Sequence, residues 1–215
     1  MKLKQLLTAI KYRAEQVPDV DITDLVYDSR KAVPGCAFVC LRGANADGHK
    51  YAKMAAEKGA AVIIAEEIVE APVPVILTEN TRLALAYLSA EFFGHPAEQM
   101  HVIGITGTKG KTTTAFMMRS ILEAAGHKTG VIGTIGVLYG DTLVQTDNTT
   151  PENYEVQKFM RQMVDAGCEC CVMEVSSIGL KDHRVAGFTF ELGLFTNFSG
   201  GHIGGAEQKE MAENL

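Results

Sequence analysis

The sequence predicts an α/β protein. A small N-terminal α/β unit is followed by an open, mostly parallel sheet with flanking helices. Three observations predict it. Strand-like and helix-like segments alternate along the whole chain. A glycine-rich stretch, "GITGTKGKTTT" at 104–114, joins a strand pattern to a helix pattern. "ECCVMEVSS" is a continuous apolar run of the kind that forms a central parallel strand, covered on both faces.

The elements follow in order. "MKLKQLLTAIKYRAEQ" is charged and amphipathic and lacks the long apolar core and cleavage site of a signal peptide, so it predicts a surface helix. "GCAFVCLRG" and "AAVIIAEE" predict strands, "GHKYAKMAAEKG" a helix ended by Gly59, and "TRLALAYLSAEFFG" another ended by Gly94. In "FFGHPAEQMH", Gly and Pro follow a helix pattern and a strand comes next, which places a boundary at about 97–100 and domains at 1–98 and 99–215. "HVIGITG" then predicts a strand running into the glycine loop. Ala115, Met118, Ile121, Leu122 and Ala125 recur at helical spacing. "KTGVIGTIGV" reads as one strand. Val156, Phe159, Met160, Met163 and Val164 form one face of a helix closed by Gly167, and "FTFELGLFTNFS" supplies a last strand.

A chain of 215 residues has room for one large domain or two small ones. The net charge of −6 argues against a nucleic-acid partner, because phosphate backbones recruit basic surfaces. It leaves room for a local basic pocket around one phosphorylated ligand. No stretch approaches the roughly 20 apolar residues that span a bilayer, so membrane insertion is not expected and the location expected is cytoplasmic. The five cysteines, Cys36, Cys40, Cys168, Cys170 and Cys171, are odd in number and clustered in apolar runs, a poor disulfide framework. Strand neighbours point to opposite faces, so Cys170 and Cys171 do not converge on one metal ion. Buried, small hydrophobic thiols are expected.

The common phosphate loop has four residues between its first glycine and the Gly-Lys pair, whereas five separate Gly104 from Gly110. The physics survives the mismatch. Gly107 and Gly110 let backbone N–H groups turn inward, and a helix beginning near Lys111 adds its positive end. Lys111 can reach terminal phosphates and the Thr112 hydroxyl can ligate Mg2+. A plain turn needs glycine but no lysine followed by threonine. The loop residues expected at a phosphate are therefore Gly107, Thr108, Lys109, Gly110, Lys111, Thr112 and Thr113. Glu174, after four apolar residues, falls at the C-terminal end of a strand, where open α/β sheets bind ligands. It is either the acid that organises the metal or an ordinary exposed strand-end carboxylate. A GTP switch would need a guanine-reading Asn-Lys-x-Asp element, and the sequence has none.

"GITGTKGKTTT", "DNTTP", "MEVSSIGLKDHR" and "TNFSGGH" occur in this order. Together they closely resemble the Mur ligases, ATP-dependent enzymes that form amide bonds in peptidoglycan precursor synthesis. The unusual loop spacing is that family's own. "YDSRKAVPGCAFVCLRGANADGHKYAKMAAEKGAAVIIAEE" resembles the uridine-nucleotide domain of the members that add the third residue to UDP-MurNAc-L-Ala-D-Glu. The resemblance implies a sheet of the P-loop ATPase type whose loop residues Gly107 to Thr113 bind ATP, that Lys111 is catalytic and binds the β- and γ-phosphates, that Thr112 and Glu174 hold Mg2+, and that His202 ligates a second Mg2+. It implies that Ser29 contacts the UDP-sugar and that Asn45, Ala46 and Asp47 lie in the adjacent uridine loop. Thr149, Thr150, Ser176 and Arg184 would grip the muramoyl-peptide; the guanidinium fork of Arg184 matches carboxylate and phosphate oxygens. The plain reading of Arg184 is a solvated loop charge.

The implied cofactors are ATP and Mg2+, and the implied partners are the UDP-MurNAc-dipeptide and a diamino acid, L-lysine or meso-diaminopimelate. The substrate carboxylate would be activated as an acyl phosphate and then attacked by the amine, with cell-wall synthesis, cell shape and division as the setting. Gly201 stands where the family's motif carries aspartate, and Asp182 where relatives often carry glutamine. The family also has a lysine, carbamylated in active members, whose place lies past Leu215; Lys209 falls too early. The resemblance therefore leads one to expect an incomplete chain that lacks the C-terminal domain and forms no product alone. Two other readings compete. A folylpolyglutamate synthetase shares the ATPase core but has no counterpart of "DSR…LRGANADGH". A non-catalytic nucleotide- or UDP-sugar-binding module fits the missing parts.

Overall fold

The computed structural model describes residues 1–43 and 46–199. The expected contacts of Asn45 and His202, and Gly201 beside the latter, lie outside the described residues. The chain divides into two compact units. One comprises Met1–His95, Asn153–Lys158 and Asp182–Phe188; the other comprises Pro96–Glu152, Phe159–Lys181 and the residues from Thr189 onward.

In the first unit lie α1 (Leu3–Leu6), β1 (Leu25–Val26), β2 (Ala37–Val39), α2 (Ala52–Glu57), β3 (Val62–Ala65), β4 (Val75–Leu77) and α3 (Thr81–Phe92). The four strands pair in parallel in the order β1-β2-β3-β4. All four residues of β3 are buried because both faces of the sheet are covered. The period of two divides them: Val62 and Ile64 join Leu3, Leu6, Ile76, Leu85 and Leu88 in one core, while Ile63 and Ala65 join Phe38, Ala52 and Ala55 in the other. The Asn80 side chain caps α3 by accepting from the Leu83 amide at 2.9 Å. The chain leaves α3 through Gly94 in the left-handed conformation, φ 70°.

The N-terminus differs from the long surface helix expected. α1 has four residues, a 3-10 turn covers Leu7–Ala9, and Leu3, Leu6 and Leu7 are fully buried. Their helical spacing is satisfied by little more than one turn. The chain is extended at Ile10, and Arg13 then pairs with Leu77 through two backbone bonds of 2.8 Å, which protects the edge of β4.

The second unit holds β5 (His101–Thr106), α4 (Lys111–Ala124), β6 (Thr129–Gly133), β7 (Gly136–Tyr139) and β8 (Thr142–Val144). It also holds the later turns of α5 (Asn153–Asp165), and β9 (Cys170–Glu174), α6 (Ser177–Lys181) and β10 (Leu192–Phe195). The sheet order is β10-β5-β9-β6-β7-β8. Pairing is parallel from β10 to β6 and antiparallel for β7 and β8, so the sheet is mostly parallel as expected. "KTGVIGTIGV" is not one strand: the chain reverses at Thr134 and Ile135 and returns as β7. Gly136 permits this, with φ 121° and a Cβ position only 2.4 Å from the Val144 carbonyl oxygen. The apolar pattern runs unbroken through both arms, so periodicity alone does not reveal the turn.

All five cysteines are free and buried, as expected. Burial pushes the Cys40 and Cys171 thiols up to about 12, which leaves them unreactive. No helix among the described residues is long and apolar enough to cross a membrane.

Candidate functional site

β5 feeds the loop Gly107–Gly110, and α4 starts at Lys111. Gly107 (φ 131°) and Gly110 (φ 85°) take left-handed conformations that a side chain would oppose. Gly110 is the N-cap of α4 and, being glycine, has no side chain to cap the first turn. The first N–H groups of the helix are therefore left without intrahelical acceptors, and its positive end opens onto the loop. The Lys111 ammonium folds across this opening and donates to the Gly107 carbonyl at 2.6 Å. Thr108 is half-buried, while Lys109, Gly110 and Thr113 are exposed.

One residue into α4, the Thr112 hydroxyl donates to Oε2 of Glu174 at 2.9 Å. Glu174 ends β9 and is 1% exposed, so it is not a solvated strand-end acid. Thr134, at the β6–β7 turn, donates its amide to Oε1 at 3.0 Å and its hydroxyl to Oε2 at 3.1 Å. The carboxylate thus accepts three hydrogen bonds and is fixed in direction. A hydroxyl and a carboxylate oxygen in contact beside an uncapped helix start are hard donors that suit Mg2+.

"DNTTP" and "EVSS" converge on the same strand end. The Thr149 hydroxyl lies 3.1 Å from that of Thr134. The Thr150 hydroxyl is fully buried; it donates to the Glu174 carbonyl at 3.0 Å and accepts from the Ser176 amide at 2.9 Å. Ser176 in turn accepts from the Gly179 amide at 3.0 Å and caps α6. The second unit therefore gathers Lys111, Thr112, Glu174, Thr149, Thr150 and Ser176.

Ser29, Ala46, Asp47 and Arg184 belong to the first unit. Ser29 opens a 3-10 turn and is 7% exposed; Asp28 caps that turn through the Arg30 amide at 2.9 Å. The Ala46 carbonyl accepts from the Gly43 amide at 2.9 Å. Asp47 caps the next turn and accepts from His49 Nδ1 at 2.6 Å. That hydrogen bond, with Arg42 nearby, holds the Asp47 carboxyl below the usual carboxylate range. Arg184 is not a solvated charge: its side chain is 12% exposed and pairs with Asp182 at 3.2 Å. The loop around it is anchored by Asn153, whose amide reaches the Arg184 and Ala186 carbonyls at 3.0 and 2.8 Å.

Asp47, His49 and Glu67 also lie close enough together to suggest a cation site. They do not fit one. His49 Nε2 accepts from the Glu66 amide at 3.0 Å while Nδ1 faces Asp47, so both ring nitrogens are engaged. Arg42 already supplies the positive charge, reaching Glu66 at 2.8 Å and Glu67 at 3.1 Å.

Sequence reasoning missed Thr134. Its only signal is its place between Gly133 and the turn, in "GTIG" at the end of an apolar run. It also drew nothing from Asn197, although "TNFS" was in view; the Asn197 carbonyl accepts from the Thr108 amide at 2.9 Å.

Comparison with known proteins matches residues 21–93 to the Mur ligase family, catalytic domain, and residues 105–213 to the Mur ligase middle domain. A UDP-N-acetylmuramoyl-L-alanyl-D-glutamate–2,6-diaminopimelate ligase from Bacillus licheniformis is 47% identical over 207 residues, covering 94% of this chain and 42% of that protein. The chain thus spans less than half the length of this relative. A solved structure of a ligase of the same name superposes over 99% of this chain and 44% of its own with a TM-score of 0.80; at 20% identity it speaks to the fold alone. MurF ligase from Thermotoga maritima in complex with ADP is 25% identical with a TM-score of 0.51, over 72% of this chain and 32% of its own. The middle-domain match alone takes in half of the chain, and the order of its glycine loop, "DNTTP" and "EVSS" elements is built into one sheet end: the chain belongs to the Mur ligase family.

Proposed function

We propose that this chain provides the nucleotide- and acceptor-binding parts of a cytoplasmic ATP-dependent ligase that adds diaminopimelate to UDP-MurNAc-L-Ala-D-Glu. The observation that carries the reading is the contact of Thr112 with the buried Glu174 at the uncapped start of α4, beside Lys111. The choice of diaminopimelate over L-lysine rests on the name of the Bacillus licheniformis relative.

In this reading the D-glutamyl carboxylate attacks the γ-phosphorus, the bond to the β-phosphate oxygen breaks, and ADP leaves. The amine then attacks the acyl carbon, phosphate departs with the bonding electrons, and the amine proton is lost. Lys111 exchanges its bond to the Gly107 carbonyl for a phosphate oxygen and neutralises charge there. The loop from Gly107 to Gly110 shapes the phosphate site, and the N–H groups at the start of α4, from Lys111 to Thr113, are directed at the phosphates. Thr112 and Glu174 would hold a divalent cation, which would lower the charge on the phosphates. Thr149, Ser176 and Arg184 orient the muramoyl-peptide, and Ser29, Ala46 and Asp47 serve the uridine end. Catalysis by such a site is positioning and charge stabilisation.

Calorimetric titration tests both halves. The chain binds Mg-ADP, and Lys111→Ala abolishes that binding with the melting temperature unchanged; normal binding by the variant removes the phosphate-loop assignment. The chain binds the UDP-MurNAc-dipeptide more tightly than Ser29→Ala does; equal affinities remove Ser29 from the site.

A further inference from the structure

We infer that Asn197 is a positioning residue for the phosphate loop: its side chain grips the backbone of Lys109 and sets the loop in its phosphate-receiving shape before nucleotide arrives. This rests on the nucleotide reading above.

The segment after β10 lies along the loop and is bonded to it at several points. Asn197 Oδ1 accepts from the Lys109 amide at 3.1 Å, and Asn197 Nδ2 donates to the Lys109 carbonyl at 2.9 Å. One primary amide therefore satisfies both backbone groups of one loop residue, as a neighbouring strand would. The Asn197 carbonyl accepts from the Thr108 amide at 2.9 Å. The Thr196 hydroxyl donates to the Lys109 carbonyl at 2.8 Å, and the Ser199 amide donates to the Thr108 hydroxyl at 3.0 Å.

The pattern sorts the loop's donors. The Thr108 and Lys109 amides point to this segment and are taken. The N–H groups at the start of α4 receive no cap from Gly110, and they face the place of an anion. Gly107 is glycine because the segment presses against it: a Cβ there would lie 2.2 Å from Thr196 Oγ1 and 2.9 Å from the Asn197 carbonyl oxygen. The loop's outer wall is thus Thr196 and Asn197, and the Asn197 primary amide both accepts from and donates to Lys109. Asp keeps the size and the acceptor but sets a second oxygen against the Lys109 carbonyl.

Titration of the full chain with inorganic tripolyphosphate and with Mg-ADP tests this. Asn197→Ala weakens both by about ten- to thirtyfold, the value of two lost hydrogen bonds, and leaves the melting temperature unchanged. Asn197→Asp weakens both as well, because the donor to Lys109 is gone. The loss is equal for the two ligands, since the loop reads phosphate and not the nucleoside. Wild-type affinity in both variants overturns the inference. A loss of affinity that tracks a lowered melting temperature in both variants also overturns it, by reducing Asn197 to a structural role. If the unaltered chain takes up neither ligand, the nucleotide reading fails with it; binding by the unaltered chain with unchanged variants sinks this inference alone.

Discussion

Thr134 holds Glu174 by both carboxylate oxygens, through its amide at 3.0 Å and its hydroxyl at 3.1 Å. The same hydroxyl lies 3.1 Å from that of Thr149. A residue of the β6–β7 turn thereby fixes the acid that meets Thr112, and joins it to the "DNTTP" segment. Groups that orient a metal ligand commonly change metal affinity or activity by ten- to a hundredfold. Thr134→Val keeps the shape and the amide bond but removes the hydroxyl. Its expected effect is a roughly tenfold weaker dependence of ADP binding on Mg2+, with Mg2+-free binding unchanged and Thr134→Ser restoring the loss. Titrations with and without Mg2+ decide it. Equal Mg2+ dependence in wild type and Thr134→Val would remove Thr134 from the site.

Gly133 makes the same point by contact. A Cβ at this position would lie 2.2 Å from Glu174 Oε1. Gly133→Ala must move the carboxylate or the strand. Overpacking of this kind costs about 1–3 kcal/mol. The expected outcome is a lower melting temperature together with loss of the Mg2+ effect on ADP binding. A variant with wild-type stability and Mg2+ dependence would mean that the strand end yields freely and does not hold Glu174 in place.

The alternation of strand and helix, the glycine loop and the run ending at Glu174 were legible because each is a local pattern with one physical cause. What escaped was decided by groups far apart in sequence. Thr134 is 40 positions from Glu174, and Asn197 is 88 from Lys109. Nothing in "GTIG" or "TNFS" read alone tells which carbonyl or carboxylate each will meet. The turn at Thr134 was hidden because apolar residues continue on both sides of it. The N-terminal helix was read too long because Leu3, Leu6 and Leu7 have helical spacing whether the helix runs for one turn or four. The plain alternative for Arg184, a solvated loop charge, fails because the loop is anchored by Asn153, 31 positions away.

Acid should loosen the first unit. Asp47 accepts from His49 Nδ1 and lies near Arg42, so its folded carboxyl titrates below its ordinary value of 3.8. A group whose folded value is depressed contributes stability above its unfolded value and loses that contribution as pH falls through the folded one. The contribution of Asp47 is therefore full near neutrality and fades below about pH 4. Asp47→Asn is expected to be less stable at pH 7 and to lose less further stability on acidification. Thermal melts from pH 7 to pH 3 measure this. Parallel stability curves for the two proteins would show that the pair contributes nothing.

The start of α5 is tied into the first unit by two tyrosine hydroxyls. Tyr154 donates to Asp24 Oδ1 at 2.7 Å, and Tyr27 donates to Glu155 Oε1 at 2.6 Å. Burial first, and then the bond to Asp24, pushes the Tyr154 phenol well above its usual range, so it stays a donor at neutral and mildly alkaline pH. Hydrogen bonds to charged acceptors contribute about 1.5–3 kcal/mol, more than neutral pairs. Tyr154→Phe retains the ring that packs at 5.3 Å on Phe93 and removes only the donor. The expected cost is at the low end of that range, because Asp24 Oδ1 still accepts from the Leu25 amide at 2.8 Å. Tyr139→Phe in the second unit is the control: its hydroxyl meets the neutral Gln162 at 3.2 Å, and its loss should cost about 1 kcal/mol or less. Urea denaturation of the single variants, and of Tyr154→Phe combined with Asp24→Asn, isolates the pair. The double variant should be no less stable than the sum of its parts and closer to the larger single loss. Strict additivity would show that the two side chains do not act on each other.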